Sequence, residues 1–458
     1  ALEPDRVLYY IDKNSLYPTM AIAHEYPVGP PECLIGARLA DVIWRRGGGF
    51  TRRSTGAPII GLIQCTVLPP KNRFLPALPA RVKGKLIFGL CARCMNESQT
   101  ACRHDDVERQ ITDTWTTAEI DYAVEYCNYI LVEIHEMIVF PRKKPIFRKF
   151  YTKLAKMKLS SEGYPDNALT DLARQQYVDH LNAIMLDLNL STAEISRNPA
   201  RRQFAKDVAN IGLGKFSQND QQANVTYVSN WMELCRIYRR DDWEFIDAMP
   251  ITSKLAEVKY RVKQAKIGFH RNVHVVVYSF VTAYARITMM KDMELLQSWG
   301  ARLFYTDTDS IIFDAPKNEA WNERLTRHFS LGSPAHGAYK NEVKEEIVSY
   351  ACLGPKNYTL KLRSGVEIVK VRGFSLRHDE ASRALNHQSM KNLISRWLRD
   401  NQRETVMTSS FGMKICRKRA TVHSHEMRKL YRNDGFDKRV VIADDPNFTT
   451  RPFGDCHV

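Results

Sequence analysis

Three carboxylates in this chain stand at positions where metal chemistry is open to them. Asp307 and Asp309 fall within Tyr305-Thr306-Asp307-Thr308-Asp309-Ser310, between apolar Leu303-Phe304 and Ile311-Ile312-Phe313. Apolar arms around a short polar centre predict a β-hairpin, and on an extended ribbon side chains two apart share a face. Two carboxylates held that close repel strongly unless cations neutralise them, and hard divalent ions with oxygen ligands are the usual answer. The third, Asp12, follows the apolar run Val7-Leu8-Tyr9-Tyr10-Ile11. At the tip of a core strand it is poorly placed for solvation alone and well placed to complete a carboxylate cluster. The plainer alternative is a surface hairpin with solvated aspartates, since short acidic patterns acquire meaning only from their context.

A second chemically capable group is Cys91-x-x-Cys94 followed by Cys102-x-His104, three thiols and an imidazole within fourteen residues. Four such ligands at knuckle spacing match a closed tetrahedral zinc site, which would hold together a loop-rich insertion too small for its own core. With every position filled by protein the role would be structural; unligated buried thiols are the alternative. The third group is basic. Asn198-Pro199 opens a helix that carries Arg201, Arg202, Lys206 and Asn210 and runs into Gly212-x-Gly214. Arg202, Lys206 and Asn210 are four apart and line one face. Phe147 to Ser160 is a second helix, with Arg148, Lys149, Lys153, Lys156 and Lys158. Two basic helices joined by a polar turn suit a triphosphate, although a solvated basic face explains most of these lysines equally well.

These groups need a scaffold. The strand ending at Asp12 leads into a short helix from Leu16 to Tyr26, stopped by Pro27-Val28-Gly29-Pro30-Pro31. Residues 31 to about 85 are uneven and read as an insertion. Thr117 is placed to cap a helix carrying Ala118, Ile120, Ala123 and Val124, and Ile130 to Ile134 reads as a strand. Residues 219 to 270 mix short strands with a basic stretch from Lys254 to Lys266, and Val273 to Trp299 is a long apolar helix that delivers the chain to the aspartate hairpin. From about residue 376 the pattern reads as helices and a final basic segment, including Arg417-Lys418-Arg419 and Arg428-Lys429.

The chain has 458 residues, 44% hydrophobic and 26% charged, a balance that supports a sizeable core; at roughly 100 to 200 residues per domain, two to four domains or subdomains are expected. A net charge of +16 without a long single-sign run suits a polyanionic partner, nucleic acid first. No apolar run approaches the ~18 residues that span a bilayer, and the start does not resemble a signal peptide. No membrane association is expected. Ten cysteines at this length suggest a reducing, intracellular compartment.

The stretches Asp12 to Pro18 and Tyr305 to Ser310 resemble, letter for letter, the D-x-x-S-L-Y-P and Y-x-D-T-D-S motifs of family B DNA polymerases. Lys206, Asn210 and Gly214 match the family's fingers motif K-x-x-x-N-S-x-Y-G, with Ile211 in place of the serine and Leu213 in place of the tyrosine. Lys356-Asn357-Tyr358 resembles the K-x-Y motif that holds the primer strand. The order of motifs and the long insertion, with its cysteines and histidine, are similar to the protein-primed branch of linear phages, linear plasmids and self-synthesising transposons.

The resemblance implies an α+β, right-hand polymerase architecture: palm in residues 1–30 and 218–375, an insertion in 31–145 that contacts DNA or a terminal protein, fingers in 146–217, and thumb in 376–458. It implies template-directed transfer of nucleotides from dNTPs to a primer on a DNA template, with a terminal priming protein as partner. Asp12 and Asp309 would bridge two Mg²⁺ ions about 4 Å apart, with Asp307 as auxiliary ligand. Ser15, Leu16, Tyr17, Lys153, Lys158, Arg202, Lys206 and Asn210 would surround the nucleotide, Tyr17 at the spacing of the family's steric gate against ribose. Lys356 and Tyr358 would hold DNA. The family's 3′→5′ exonuclease domain would precede Ala1, so the chain reads as the later portion of a longer protein and is not expected to proofread. A decayed relic that only binds DNA is the alternative; it would be expected to lose carboxylates that are all present here. A reverse transcriptase typically has adjacent aspartates, which Thr308 separates, and a metal-dependent nuclease leaves the motif order unexplained.

Overall fold

The computed structural model describes residues 3–185, 187–218, 223–252, 255–263, 273–374, 376, 383–400, 402–416, 421–433, 438–442 and 449–456. Lys254 and residues 264–266 of the expected basic stretch, and Arg417-Lys418-Arg419, lie outside them.

The central element is an antiparallel sheet in the order Arg302–Asp307, Ser310–Pro316, Arg6–Lys13, Ile347–Gly354, Asn357–Leu362 and Glu367–Val371, with Tyr339–Asn341 also paired to Arg6–Lys13. Alternation along the strands serves two cores. Ile11, Ile311, Phe313 and Ala315 face the helix Val275–Ser298, whose Phe280, Val281, Ala285, Met289 and Leu296 are all buried. Leu8, Ile312, Tyr358 and Leu360 form a second cluster with Tyr10 and Tyr305 on the other face. A period of two with both faces apolar is what a sheet covered on both sides requires.

Several local expectations change. The first short helix ends at Ala23, and Tyr26–Val28 is already a strand. Thr116, not Thr117, is the N-cap of Thr117–Tyr126, because Glu119 closes a reciprocal capping box with it. The insertion is more ordered than its uneven pattern suggests: Glu32–Ile35, Ile130–Phe140, Ile60–Leu68 and Ile111–Thr116 form a four-stranded sheet. Its buried residues Leu34, Ile63, Val67, Trp115 and Met137 belong to the same core as the central sheet, so the insertion does not depend on metal for want of a core.

The two basic helices are Arg148–Ser160 and Pro199–Phe216. The second begins as expected, with Asn198 accepting from the Arg201 amide, but it runs through Gly212 and Gly214 rather than ending there. Gly212 is there for contact: a Cβ would come within 2.9 Å of the Tyr151 hydroxyl on the neighbouring helix. Their connection contains a further helix, Asp171–Ile184, instead of a simple turn. Beyond residue 376 the expected run of helices reduces, among the described residues, to His387–Asp400; Thr405–Cys416 and Thr421–Arg432 then pair in a long hairpin. Threonine and valine at the strand starts favour extended backbone over the helix.

The buried Asp314 ties the sheet edge together. It accepts from Arg6 Nε at 2.8 Å and Arg302 Nε at 3.0 Å. Burial alone would raise its pKa, but the Arg302 and Arg6 guanidiniums outweigh that and hold the carboxyl below its usual range. Asp314→Asn leaves two guanidiniums without their counterion and should cost about 3 kcal/mol, the low end for a broken buried pair because Arg302 is partly exposed. Because the folded carboxyl is depressed, this contribution is complete above the unfolded-state pKa near ~3.9 and is lost as pH falls through the folded value. Denaturant titrations of wild type and Asp314→Asn should therefore differ clearly at pH 7, with the difference shrinking at pH 3.

Candidate active site and metal cluster

The sheet register brings the three carboxylates together. Arg6–Lys13 lies between the hairpin and Tyr339–Asn341, so Asp12 pairs with Ser310 on one side and with Lys340 on the other. The Lys13 amide donates to the Asp309 carbonyl at 2.7 Å and pins the hairpin tip to the strand. The geometric premise of the sequence reading needs correcting. Asp307 pairs directly with Ser310, which leaves Thr308 and Asp309 as a two-residue turn rather than a continuing ribbon. Thr308 is at φ 60°, and the Asp309 amide donates back to the Asp307 carbonyl at 2.7 Å. The turn, not strand alternation, orients Asp309 toward Asp12.

The carboxylates feel one another. Burial and then the charge of Asp12 push the Asp309 carboxyl up to about 6. Asp12 is also raised by burial, partly offset by Lys340, whose Nζ lies 3.2 Å from Asp12 Oδ1. Lys356 Nζ reaches Asp307 Oδ2 at 2.6 Å, and the Lys356 amide donates to the Tyr305 hydroxyl at 2.9 Å. Two lysines therefore provide the positive charge closest to a carboxylate cluster whose donors are all hard oxygens, the ligand type that Mg²⁺ takes. Three non-glycine residues here hold positive φ: Ser15 at 54°, Thr308 at 60° and Lys356 at 56°. Such conformations cost about 1–3 kcal/mol each and persist where the surroundings over-determine them.

Around this cluster stands a cationic rim. Ser15 is the N-cap of Leu16–Ala23, yet its hydroxyl caps no amide; Lys158 Nζ donates to it at 3.1 Å. Burial brings Lys158 down to about 8, with Glu162 opposing and Arg202, Lys206 and Lys340 adding to the fall. Lys206 is exposed and close enough to Asp12 to act on its charge. Arg202 donates to Glu162 from Nε and Nη2 at 3.1 and 3.0 Å, and Asn210 is exposed one turn beyond Lys206. Lys153 is not brought in: it is exposed on the same helix as Lys158, about 140° round the axis. Leu16 is buried in the main core. Tyr17 is half-buried and within electrostatic range of Tyr278, Arg286, Asp309 and Asp307. Tyr358 is buried, its hydroxyl 2.9 Å from that of Tyr10, so its neighbours are the sheet's own tyrosines.

Sequence reasoning missed Lys340, which no motif announces, and the ion pair Lys13–Asp292 at 2.5 Å, to which the Tyr339 hydroxyl adds a bond at 2.7 Å. It also missed Arg286, bonded to Glu119 at 2.6 Å across the insertion boundary. His336 is buried near Lys158, and burial lowers it to about 3, so its ring is neutral.

Cys91, Cys94, Cys102 and His104 form the second cluster, with ligand atoms all within 4.8 Å of one another. His104 Nδ1 lies 3.4 Å from the sulfurs of Cys91 and Cys94 and 3.8 Å from that of Cys102. Tetrahedral zinc with bonds of about 2.3 Å to sulfur and 2.0–2.1 Å to nitrogen places sulfur and nitrogen about 3.5 Å apart. The donors thus already stand at the spacing that zinc imposes. Burial opposes a thiolate at Cys102, but hydrogen bonds from the His104 backbone and ring outweigh it and lower this thiol to about 7.

An antiparallel sheet crossed by an aspartate hairpin and faced by two basic helices is the architecture of a nucleic-acid polymerase palm with its fingers. The comparisons agree. Residues 4–174 match the family model for DNA polymerase type B, organellar and viral. The Phi29 DNA polymerase complexed with primer-template DNA and incoming nucleotide substrates is similar over 93% of this chain and 58% of its own, with 14% identity and a TM-score of 0.50. Its post-translocation binary complex with primer-template DNA gives 93%, 57%, 14% and 0.50 in the same terms. The chain therefore spans a little over half the length of the Phi29 chains it matches. No curated protein matches it by sequence. Its fold is that of the Phi29 DNA polymerase, a polymerase fold that the motifs lead one to expect. No helix among the described residues is long and apolar enough to cross a membrane.

Clustered charge makes a prediction about stability. Asp309→Asn removes a repelling carboxylate and should raise the unfolding midpoint of the metal-free chain by a few degrees, while abolishing the further rise that Mg²⁺ gives the wild type. Thermal melts of both proteins in EDTA and in Mg²⁺ check it; equal Mg²⁺ responses would separate Asp309 from metal binding.

Proposed function

We propose that this chain is the polymerising portion of a DNA-directed DNA polymerase that extends a primer hydroxyl with dNTPs on a DNA template. The observation that carries this reading is the convergence of Asp12, Asp307 and Asp309 at one edge of the sheet, with Lys158, Arg202 and Lys206 on the fingers-like helices beside them. Asp12 and Asp309 would hold Mg²⁺, with Asp307 as auxiliary ligand. When bound, paired Mg²⁺ ions lower the pKa of an attacking hydroxyl and neutralise charge on the leaving phosphates.

The protein's own part is placement and field. Lys206 and Lys158 present ammonium groups toward the triphosphate, and Ser15 and Leu16 begin the helix beneath it. Arg202 is anchored by Glu162, which fixes its guanidinium on the same face. Tyr17, held half-buried between the aspartates and Arg286, would bar a ribose 2′-hydroxyl. Lys356 would exchange Asp307 for the primer backbone, and Tyr358 would act through the hairpin it packs against, since its ring is buried. Priming by a protein hydroxyl extends the likeness to the Phi29 enzyme, and the insertion would contact that terminal protein or DNA. The Cys/His cluster would hold one structural zinc. The relic reading rests on Leu213 and Ile211; it predicts DNA binding without synthesis.

Primer extension with Mg²⁺ tests the proposal. The wild type should extend, and Asp12→Asn and Asp309→Asn should fall to background while still binding primer-template. Near-normal extension by either variant would remove the metal assignment, and an inactive wild type that binds DNA would favour the relic.

Tyr17→Val makes a separate test. If the ring bars ribose, the preference for dNTP over NTP should drop at least about tenfold, through better use of NTP. A filler of the core would instead lower kcat/KM for both nucleotides alike. Steady-state kinetics with both substrates, with melting as a folding control, distinguish the two.

A further inference from the structure

The Cys/His cluster is approached from a distant part of the chain. Segment 449–456 crosses it on two backbone anchors and one side-chain anchor: the Leu90 amide donates to the Phe453 carbonyl at 2.7 Å, the Cys456 amide donates to the Lys71 carbonyl at 3.1 Å, and Arg451 Nη2 donates to the Thr100 carbonyl at 3.0 Å. Gly454 fits against Cys91 itself. Its φ is 85°, and a Cβ there would stand 2.4 Å from Cys91 Cβ and 2.5 Å from the Cys91 nitrogen. Only glycine allows that approach. Phe453 is buried in the main core beside it. The Cys456 thiol donates to the Gly454 carbonyl at 3.5 Å, which closes the turn over the cluster.

We infer that zinc loading of the cluster and docking of segment 449–456 over it are one coupled equilibrium. The inference rests on the zinc reading of the four-residue cluster. Those four donors fill a tetrahedron, so the segment acts on the ligands and not on the metal. Gly454 packs on Cys91, and the Leu90–Phe453 backbone bond holds the residue just before it. Neighbours that fix a metal ligand in place are worth about 10–100-fold in metal affinity. Coupling is reciprocal: if the docked segment tightens the metal, the metal tightens the docked segment. The cluster would thus clasp two parts of the chain that are far apart in sequence.

The test needs no nucleotide, so it stands apart from the polymerase assay. Zinc content of the purified wild type is measured first; a metal-free chain overturns the zinc reading and this inference together. Zinc release is then followed with the chromogenic chelator 4-(2-pyridylazo)resorcinol in wild type, Gly454→Ala and Phe453→Ala. Release from both variants is expected to be about 10–100-fold faster, because one pushes the segment off Cys91 and the other removes its buried anchor. Chymotryptic cleavage after Phe453, which is buried in the docked segment, should be slow in zinc-loaded wild type and fast after chelation. Zinc present but released at equal rates from wild type and Gly454→Ala, or a segment equally protected with and without zinc, would overturn the coupling and leave the four-ligand site standing.

Discussion

Mutual repulsion among Asp12, Asp307 and Asp309 is the constraint around which the structure is arranged. Left to itself a chain would separate three such groups, and here the antiparallel register forbids it. Asp12 faces Ser310 across the ladder, and the Asp309 carbonyl is bonded to the Lys13 amide, so the hairpin tip cannot swing away without breaking the sheet edge. The cost appears in the raised carboxyl of Asp309 and in a threonine held at positive φ. Both are stabilities given up at one place and recovered in the apolar cores on either side of the same strands. On the proposed function, a cation held there would convert the repulsion into attraction.

Positive charge is graded around the cluster. Lys340 and Lys356 sit directly on Asp12 and Asp307, Lys158 is half-buried one layer back with its pKa lowered, and Lys206 is exposed at the rim. An ammonium already paired with a carboxylate is exchanged at little net cost when an anionic ligand arrives with its own cations, whereas an exposed lysine is free to attract that ligand first. Beneath them Lys13, Asp292 and Tyr339 form a closed and buried polar triad. It fastens the helix Val275–Ser298 to the strand end that carries Asp12. The helix that delivers the chain to the hairpin is therefore also braced against the other half of the site.

What the sequence made legible were features whose physical cause is local. Asp12 and the hairpin aspartates stand out because apolar neighbours on the same strand mark them as ends of core elements, and the Cys/His cluster is compact enough for spacing to imply geometry. Lys340 and Asp292 were not legible, because their partners come from far along the chain; Lys13 and Asp292 are 279 residues apart. The order within the insertion was hidden for a similar reason: its sheet pairs Glu32–Ile35 with Ile130–Phe140, and short strands with mixed patterns declare themselves only when their partners are known. The long hairpin after residue 405 was misread as helix because its charged side chains obscured the alternation beneath. Gly454 carried no signal at all, since its need for glycine arises from Cys91, a contact that exists only in the folded chain.

The departures from the family's fingers motif can be judged by where they fall. Lys206, Asn210 and Leu213 are spaced to lie along one stripe of the helix, and burial rises along it from two exposed residues to a leucine only 3% exposed. At the buried end a tyrosine would bring a hydroxyl that needs a partner, whereas leucine needs none and joins the core where Gly212 lets Tyr151 approach. Ile211 points the other way and is 69% exposed, so the missing serine is not compensated by packing. Neither change touches the carboxylates, Lys158 or Lys206. The substitutions therefore alter the packing of this helix and leave the three aspartates, Lys158 and Lys206 in place.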